Sequence, residues 1–301
     1  MAFKKDSWLV KGVLVLAVAA LAIGAIAAPV LFGRSANRSA DGPTPTEAAA
    51  DQTTKLQGTI EGYKAVLERE PDNQTALIGI IEAQIALGDL EGTVDPLERL
   101  ANLNPNVPEY SIALAQTKQQ LGDLEGAAQI YRRVLTQSPG NVPALEGLVA
   151  LLISQERSEA AVGLLRDTLA TADQTNELAP GSVDQLSVKL LLGQVFVEQK
   201  KFDEAIKIYD EAIADAAAAS PTQPDFRPTL AKALVLQEQG EAAAASPLFD
   251  QALALAPTQY KDGVQQLIRE KTAPPASAES TEEGAVTPAE NSPPADASSS
   301  E

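Results

Sequence analysis

The side chains available here for acid–base or nucleophilic work are carboxylates, lysines, tyrosines and hydroxyls, because the sequence contains neither histidine nor cysteine. Those two absences rule out Ser-His-Asp triads, imidazole general bases, thiolate nucleophiles, disulfides and metal sites held by Cys or His. The carboxylates come nearest to a reactive constellation, in the adjacent pairs Asp203-Glu204 and Asp210-Glu211. On a helix, adjacent residues point about 100° apart. Each pair therefore suits a solvated face or a helix-capping charge better than an acid/base dyad. Neither a glycine-rich phosphate loop nor the spacing of an EF-hand calcium loop occurs. The sequence predicts no catalytic residue, no cofactor and no metal, and a protein that is not an enzyme.

Chemistry being poorly provided for, charge and hydropathy carry the next step. The formal net charge is −18, with 23 basic and 41 acidic residues. Residues 1–38 hold Lys4, Lys5, Lys11, Arg34 and Arg38 against Asp6, which leaves a net −22 on the rest. Such a surface repels phosphate backbones, so nucleic acid is not expected as a partner and a protein or peptide with basic groups is.

From Gly12 to Gly33 runs an uncharged apolar segment, bounded by Lys11 and Arg34. As a helix it would extend roughly 30 Å, the thickness of a bilayer's hydrocarbon core. The expected reading is a single-pass transmembrane anchor over 12–33, after a short basic segment at 1–11. The alternative is a cleaved signal peptide, since Ala25-Ile26-Ala27 resembles a small-residue cleavage site, which would leave a secreted or periplasmic binding module. The apolar run continues past that site through Phe32, which favours the anchor. The basic residues before the span place the soluble body on the non-cytoplasmic side. Ala20, Gly24 and Ala28 form a small-xxx-small stripe through which two such helices could pack, making a homo-oligomeric membrane spacer a second functional reading.

Residues 34–51, rich in Ser, Pro, Thr and Ala, read as a linker. Beyond them the sequence repeats itself. Gly88-Asp89-Leu90-Glu91-Gly92 returns as Gly122-Asp123-Leu124-Glu125-Gly126, and Pro71, Pro105 and Pro139 share the same 34-residue spacing. Ala and Leu dominate the apolar residues, which favours helix. A period of that length fits helix, tight turn, helix, turn.

In this pattern the chain resembles the tetratricopeptide repeat (TPR) family. The unit around 186–219 carries Leu192-Gly193, Phe196, Ala205, Tyr209 and Ala212; the unit 108–141 carries Leu114-Ala115, Gly122, Ala127, Tyr131 and Pro139. The resemblance implies an all-α solenoid of antiparallel helix pairs over 52–271: a partial first unit, five full units and a capping helix at 260–271. Small residues at 115, 127, 193 and 205 would let helices approach closely, with Tyr131, Tyr209 and Phe249 filling the space toward the neighbouring unit. The phase slips at 176–185 and 218–224, which read as insertions. Residues 272–301, rich in Pro, Ala, Ser and Glu, read as a disordered acidic tail. The architecture is similar to that of bacterial, including cyanobacterial, membrane-anchored TPR proteins.

The family resemblance further implies a peptide-binding groove lined by the first helix of each pair. In this register it comprises Ile78, Glu82 and Ile85, then Ile112, Gln116 and Gln119, then Glu146 and Ile153, and finally Leu190, Gln194 and Val197. Aliphatic, amide and acidic groups together suit a partner segment with apolar anchors and basic or amide groups. No cluster of Lys, Arg and Asn occurs there, unlike the TPR co-chaperones that grip acidic C-termini. The expected function is a membrane-anchored interaction scaffold or assembly factor for a membrane complex.

Overall fold

The computed structural model describes residues 45–273, with side chains from Asp51 onward. The expected anchor at 12–33, the segments flanking it up to residue 44, and residues 274–301 of the expected tail lie outside the described residues. Among the described residues no helix is long and apolar enough to cross a membrane.

The described residues form twelve α-helices. A single helix, α1 (Pro45–Arg69), precedes five pairs. These are α2 (Gln74–Leu87) with α3 (Val94–Leu103), α4 (Pro108–Gln120) with α5 (Leu124–Gln137), α6 (Val142–Ser154) with α7 (Ser158–Leu178), α8 (Gln185–Glu198) with α9 (Phe202–Ala219), and α10 (Arg227–Glu238) with α11 (Ala242–Leu255). Helix α12 (Thr258–Thr272) closes the array. The result is the expected all-α solenoid. Helix α1 begins inside the stretch assigned to the linker, so that boundary moves back to Pro45.

Each pair turns in the same way. The residue just past the first helix is left-handed: Gly88, Gly122 and Gly240 at φ 75°, 87° and 83°, and Glu156 and Lys200 at φ 60° and 58°. At every one of these turns, that residue's N–H bonds the carbonyl three residues back, and the next N–H bonds the carbonyl five back. This is the double hydrogen bond of the Schellman motif, which glycine fits without steric cost. Glu156 and Lys200 accept the same geometry at a cost of about 1 kcal/mol each.

The far end of each unit follows a second rule. Helices α1, α3, α5, α7, α9 and α11 end at residues 69, 103, 137, 178, 219 and 255, each two residues before a proline: Pro71, Pro105, Pro139, Pro180, Pro221 and Pro257. Proline lacks an N–H and forces its predecessor out of helical geometry. The two phase slips are explained by it. They are mainly longer second helices, α7 and α9, running on to the next proline, so the insertions read at 176–185 and 218–224 are partly helical.

Inside the array, Ala115, Ala127 and Ala205 are fully buried, as are Tyr131 and Tyr209. A Cβ on Gly147 would lie 2.2 Å from the Tyr131 ring, so Tyr131 packs on the following unit. Tyr209 packs instead on Gly193 of its own unit, at 2.3 Å from a Cβ there. Two apolar clusters result: a long one from Leu77 to Val235, and a second around Leu230, Phe249 and Val264. Helix α10 contributes to both, and Ile206 of α9 packs against both.

Candidate functional site

Among the first helices, α4 packs on α6, α6 on α8 and α8 on α10, the closing helix α12 follows on α10, and α2 is joined to α4 through α3. Their outward sides therefore make one continuous face, and equivalent positions fall into rows along it. One row is Ile78, Ile112, Glu146, Leu190 and Leu230; a second is Glu82, Gln116, Ala150, Gln194 and Leu234; a third is Ile85, Gln119, Ile153, Val197 and Gln237. The spacing within a row is 34 residues up to α6, then lengthens with α7 and α9.

Burial is uneven along these rows. Glu82, Ile85 and Gln116 are exposed, Ile85 at 58%. Ile78, Gln119, Glu146 and Ile153 are half-buried, whereas Ile112, Leu190, Gln194 and Val197 are buried. Three of those four sit on α8, which is packed between two first helices and between α7 and α9. From α2 to α8 the accessible part of the face thus lies on α2, α4 and α6; on α10, Leu234 and Gln237 are half-buried. Helix α8 serves mainly as its foundation.

The electrostatics of the first helices are one-sided. Their basic residues are Lys118, Lys189, Arg227 and Lys232, and each is paired with a carboxylate: Asp123 at 2.8 Å, Asp215 at 2.5 Å, Asp225 at 2.8 Å and Asp210 at 2.5 Å. Helices α2 and α6 carry no basic residue. Among the described residues, the carboxylates of Glu82 and Glu146 have no cationic partner. The face is left acidic and aliphatic. As for the adjacent carboxylates, Asp203 and Glu204 occupy the first turn of α9, where negative charge complements the helix dipole, and Asp210 holds Lys232.

Glu146 differs from Glu82 in its surroundings. Burial raises its carboxyl above the ordinary value of 4.5. An acid with a raised folded-state pKa holds its proton more tightly when folded, so its contribution favours the fold at low pH and is lost as pH rises from the unfolded value through the folded one. Glu146→Gln is therefore expected to match wild type below about pH 4 and to exceed it at neutral pH by about 1 kcal/mol or less. Urea unfolding across a pH series measures this, and a difference confined to acid would contradict it.

Residues 119–181 match one tetratricopeptide repeat family profile and residues 151–224 match a second with the same description. No curated protein matches the chain. Similar solved structures include a thermophilic TPR protein of Thermus thermophilus, at 21% identity over 66% of this chain and 98% of that one, with a TM-score of 0.41. Another is a tetratricopeptide repeat protein of Parabacteroides merdae, at 15% identity over 74% and 80%, with a TM-score of 0.45. MamA of Desulfovibrio magneticus matches at 17% identity over 60% and 94%, with a TM-score of 0.39. The chain thus carries tetratricopeptide repeats across 119–224, and such repeats are in general non-catalytic modules that bind protein partners.

Proposed function

We propose that this chain is a membrane-anchored scaffold that holds a basic, partly apolar segment of a protein partner along the face of α2, α4 and α6, in the assembly of a membrane complex. The observation that carries the binding reading is the pairing of every cation on the five first helices with a carboxylate, while Glu82 and Glu146 stay unpaired beside Ile78, Ile85 and Ile153. A segment with alternating basic and aliphatic groups complements that surface, whereas an acidic one meets only repulsion. The anchoring rests on the uncharged run from Gly12 to Gly33. The basic residues ahead of that run favour a repeat body on the non-cytoplasmic side.

Photocrosslinking in membranes tests the face directly. A crosslinkable residue at Ile85 or Gln116 is expected to capture one discrete partner. The same residue at Gln129, exposed on the outer helix α5, and at buried Gln194 is expected to capture little. Equal yields from Gln116 and Gln129 would remove any special role for the first-helix face.

A further inference from the structure

The first row of the face places the same position of successive units in line, and four of its five members are branched aliphatics: Ile78, Ile112, Leu190 and Leu230. The fifth is Glu146, in the middle, 34 residues after Ile112. Nothing local to α6 calls for a carboxylate there. The helix is capped by the Asn141 side chain, which accepts from the Ala144 N–H, and it has Pro143 in its first turn. Glu146 lies one turn further in, too far along to serve either device.

The carboxylate is half-buried, and among the described residues no hydrogen bond or cation engages it. Desolvation alone accounts for its raised pKa. A charge in that setting costs free energy in the unbound protein, and an incoming cation would offset the cost. Its row neighbours Ile112 and Leu190 are buried, but Ala150 and Ile153, one and two turns along the same face of α6, are half-buried and offer apolar contact. The position therefore combines a desolvated anion with flanking aliphatic surface, which is the complement of one ammonium or guanidinium set between apolar side chains.

Resting on the proposed binding face, we infer that Glu146 is the specificity-determining residue of this protein: it receives a single Lys or Arg side chain of the partner segment, flanked by aliphatic residues that lie against the half-buried Ala150 and Ile153 on the same face of α6. Glu82 sets no such requirement, because it is exposed to water and holds a ligand cation only weakly.

Random peptides displayed on phage and selected on the full-length protein in mild detergent provide the test. Wild type is expected to enrich peptides with one Lys or Arg at a fixed place between aliphatic residues. A synthetic version of such a peptide should lose about tenfold or more in affinity on Glu146→Gln, and the same when its Lys is replaced by norleucine. The two changes together should cost little more than either alone. Glu146→Lys should select an acidic residue at that place. Thermal melting of each variant verifies its fold. Peptides whose Lys and norleucine forms bind wild type equally, or that lose as much affinity on Glu146→Gln without a lysine as with one, overturn the role of Glu146 alone. Peptides indifferent to both Gln116→Lys and Ile153→Asp dock elsewhere, and they overturn the binding face together with this inference. Recovery of no enriched peptide counts against both as well.

Discussion

Tyr209→Ala is expected to destabilise the protein by about 3–5 kcal/mol, the range for emptying a large aromatic site in a packed core. Tyr209 is 2% exposed, its ring is seated where a Cβ on Gly193 would stand, and burial pushes its hydroxyl well above the usual tyrosine range. Gly193 has no side chain with which to fill the space left behind, so the cavity cannot collapse from that side. For an array of this size the change corresponds to a melting shift of roughly 6–20 °C. Tyr209→Phe should cost under about 1 kcal/mol, because the ring carries the packing and no protein hydrogen bond to the hydroxyl occurs among the described residues. Position adds a second expectation. Solenoid stability is a sum over units and nearest-neighbour contacts, and α9 joins the long apolar cluster to the one around Phe249. Tyr209→Ala should therefore split thermal unfolding into two steps, with α10–α12 melting first. A single transition with a shift below about 1 kcal/mol would show that the Gly193–Tyr209 contact does not organise this unit.

Much of this architecture can be read from the sequence because a few residues carry it. The prolines at 71, 105 and 139 and the glycines at 88, 122 and 240 act through their own backbone restrictions, so their meaning does not depend on distant contacts. Pro180 and Pro221 obey the same rule, but it becomes visible only once the lengths of α7 and α9 are known. Glu156 and Lys200 give no comparable signal. They take up left-handed geometry because the surrounding unit imposes it, and nothing in a glutamate or a lysine advertises that. The binding face is legible only in outline. Gln116 and Gln194 are equivalent in register, yet one is exposed and the other buried, since α8 is packed at once against α6, α7, α9 and α10. Periodicity reports which way a residue points from its own helix and is silent on what stands opposite.

Gly140 shows the same limit more sharply, and it gives the second large expected effect: Gly140→Ala should cost about 2–3 kcal/mol. Gly140 is buried in the turn before α6, and an added Cβ would lie 2.2 Å from the Ser182 carbonyl oxygen and 2.5 Å from the Val183 Cα. Both are backbone atoms, and the strand of chain that bears them is pinned. The Asn176 side-chain Nδ2 donates to the Val183 backbone carbonyl, and the Val183 backbone N–H donates to the Asn176 side-chain Oδ1, each at 2.9 Å. Val183 itself is 3% exposed within the long cluster. Relief of the clash must therefore break those two hydrogen bonds or displace the start of α6. Gly163 provides the control, since a Cβ on it meets nothing within 4 Å and it lies inside α7. Gly163→Ala should stabilise by about 0.5–1 kcal/mol through helix propensity and a less flexible unfolded chain. One substitution type thus has opposite signs at two glycines, and urea unfolding of the pair reads both. Equal effects at the two sites would mean that the 179–184 link does not rest on Gly140. If the clash is met by moving α6, Glu146 and Ile153 move with it, and Gly140→Ala should also weaken peptide binding in proportion to the loss at Glu146→Gln.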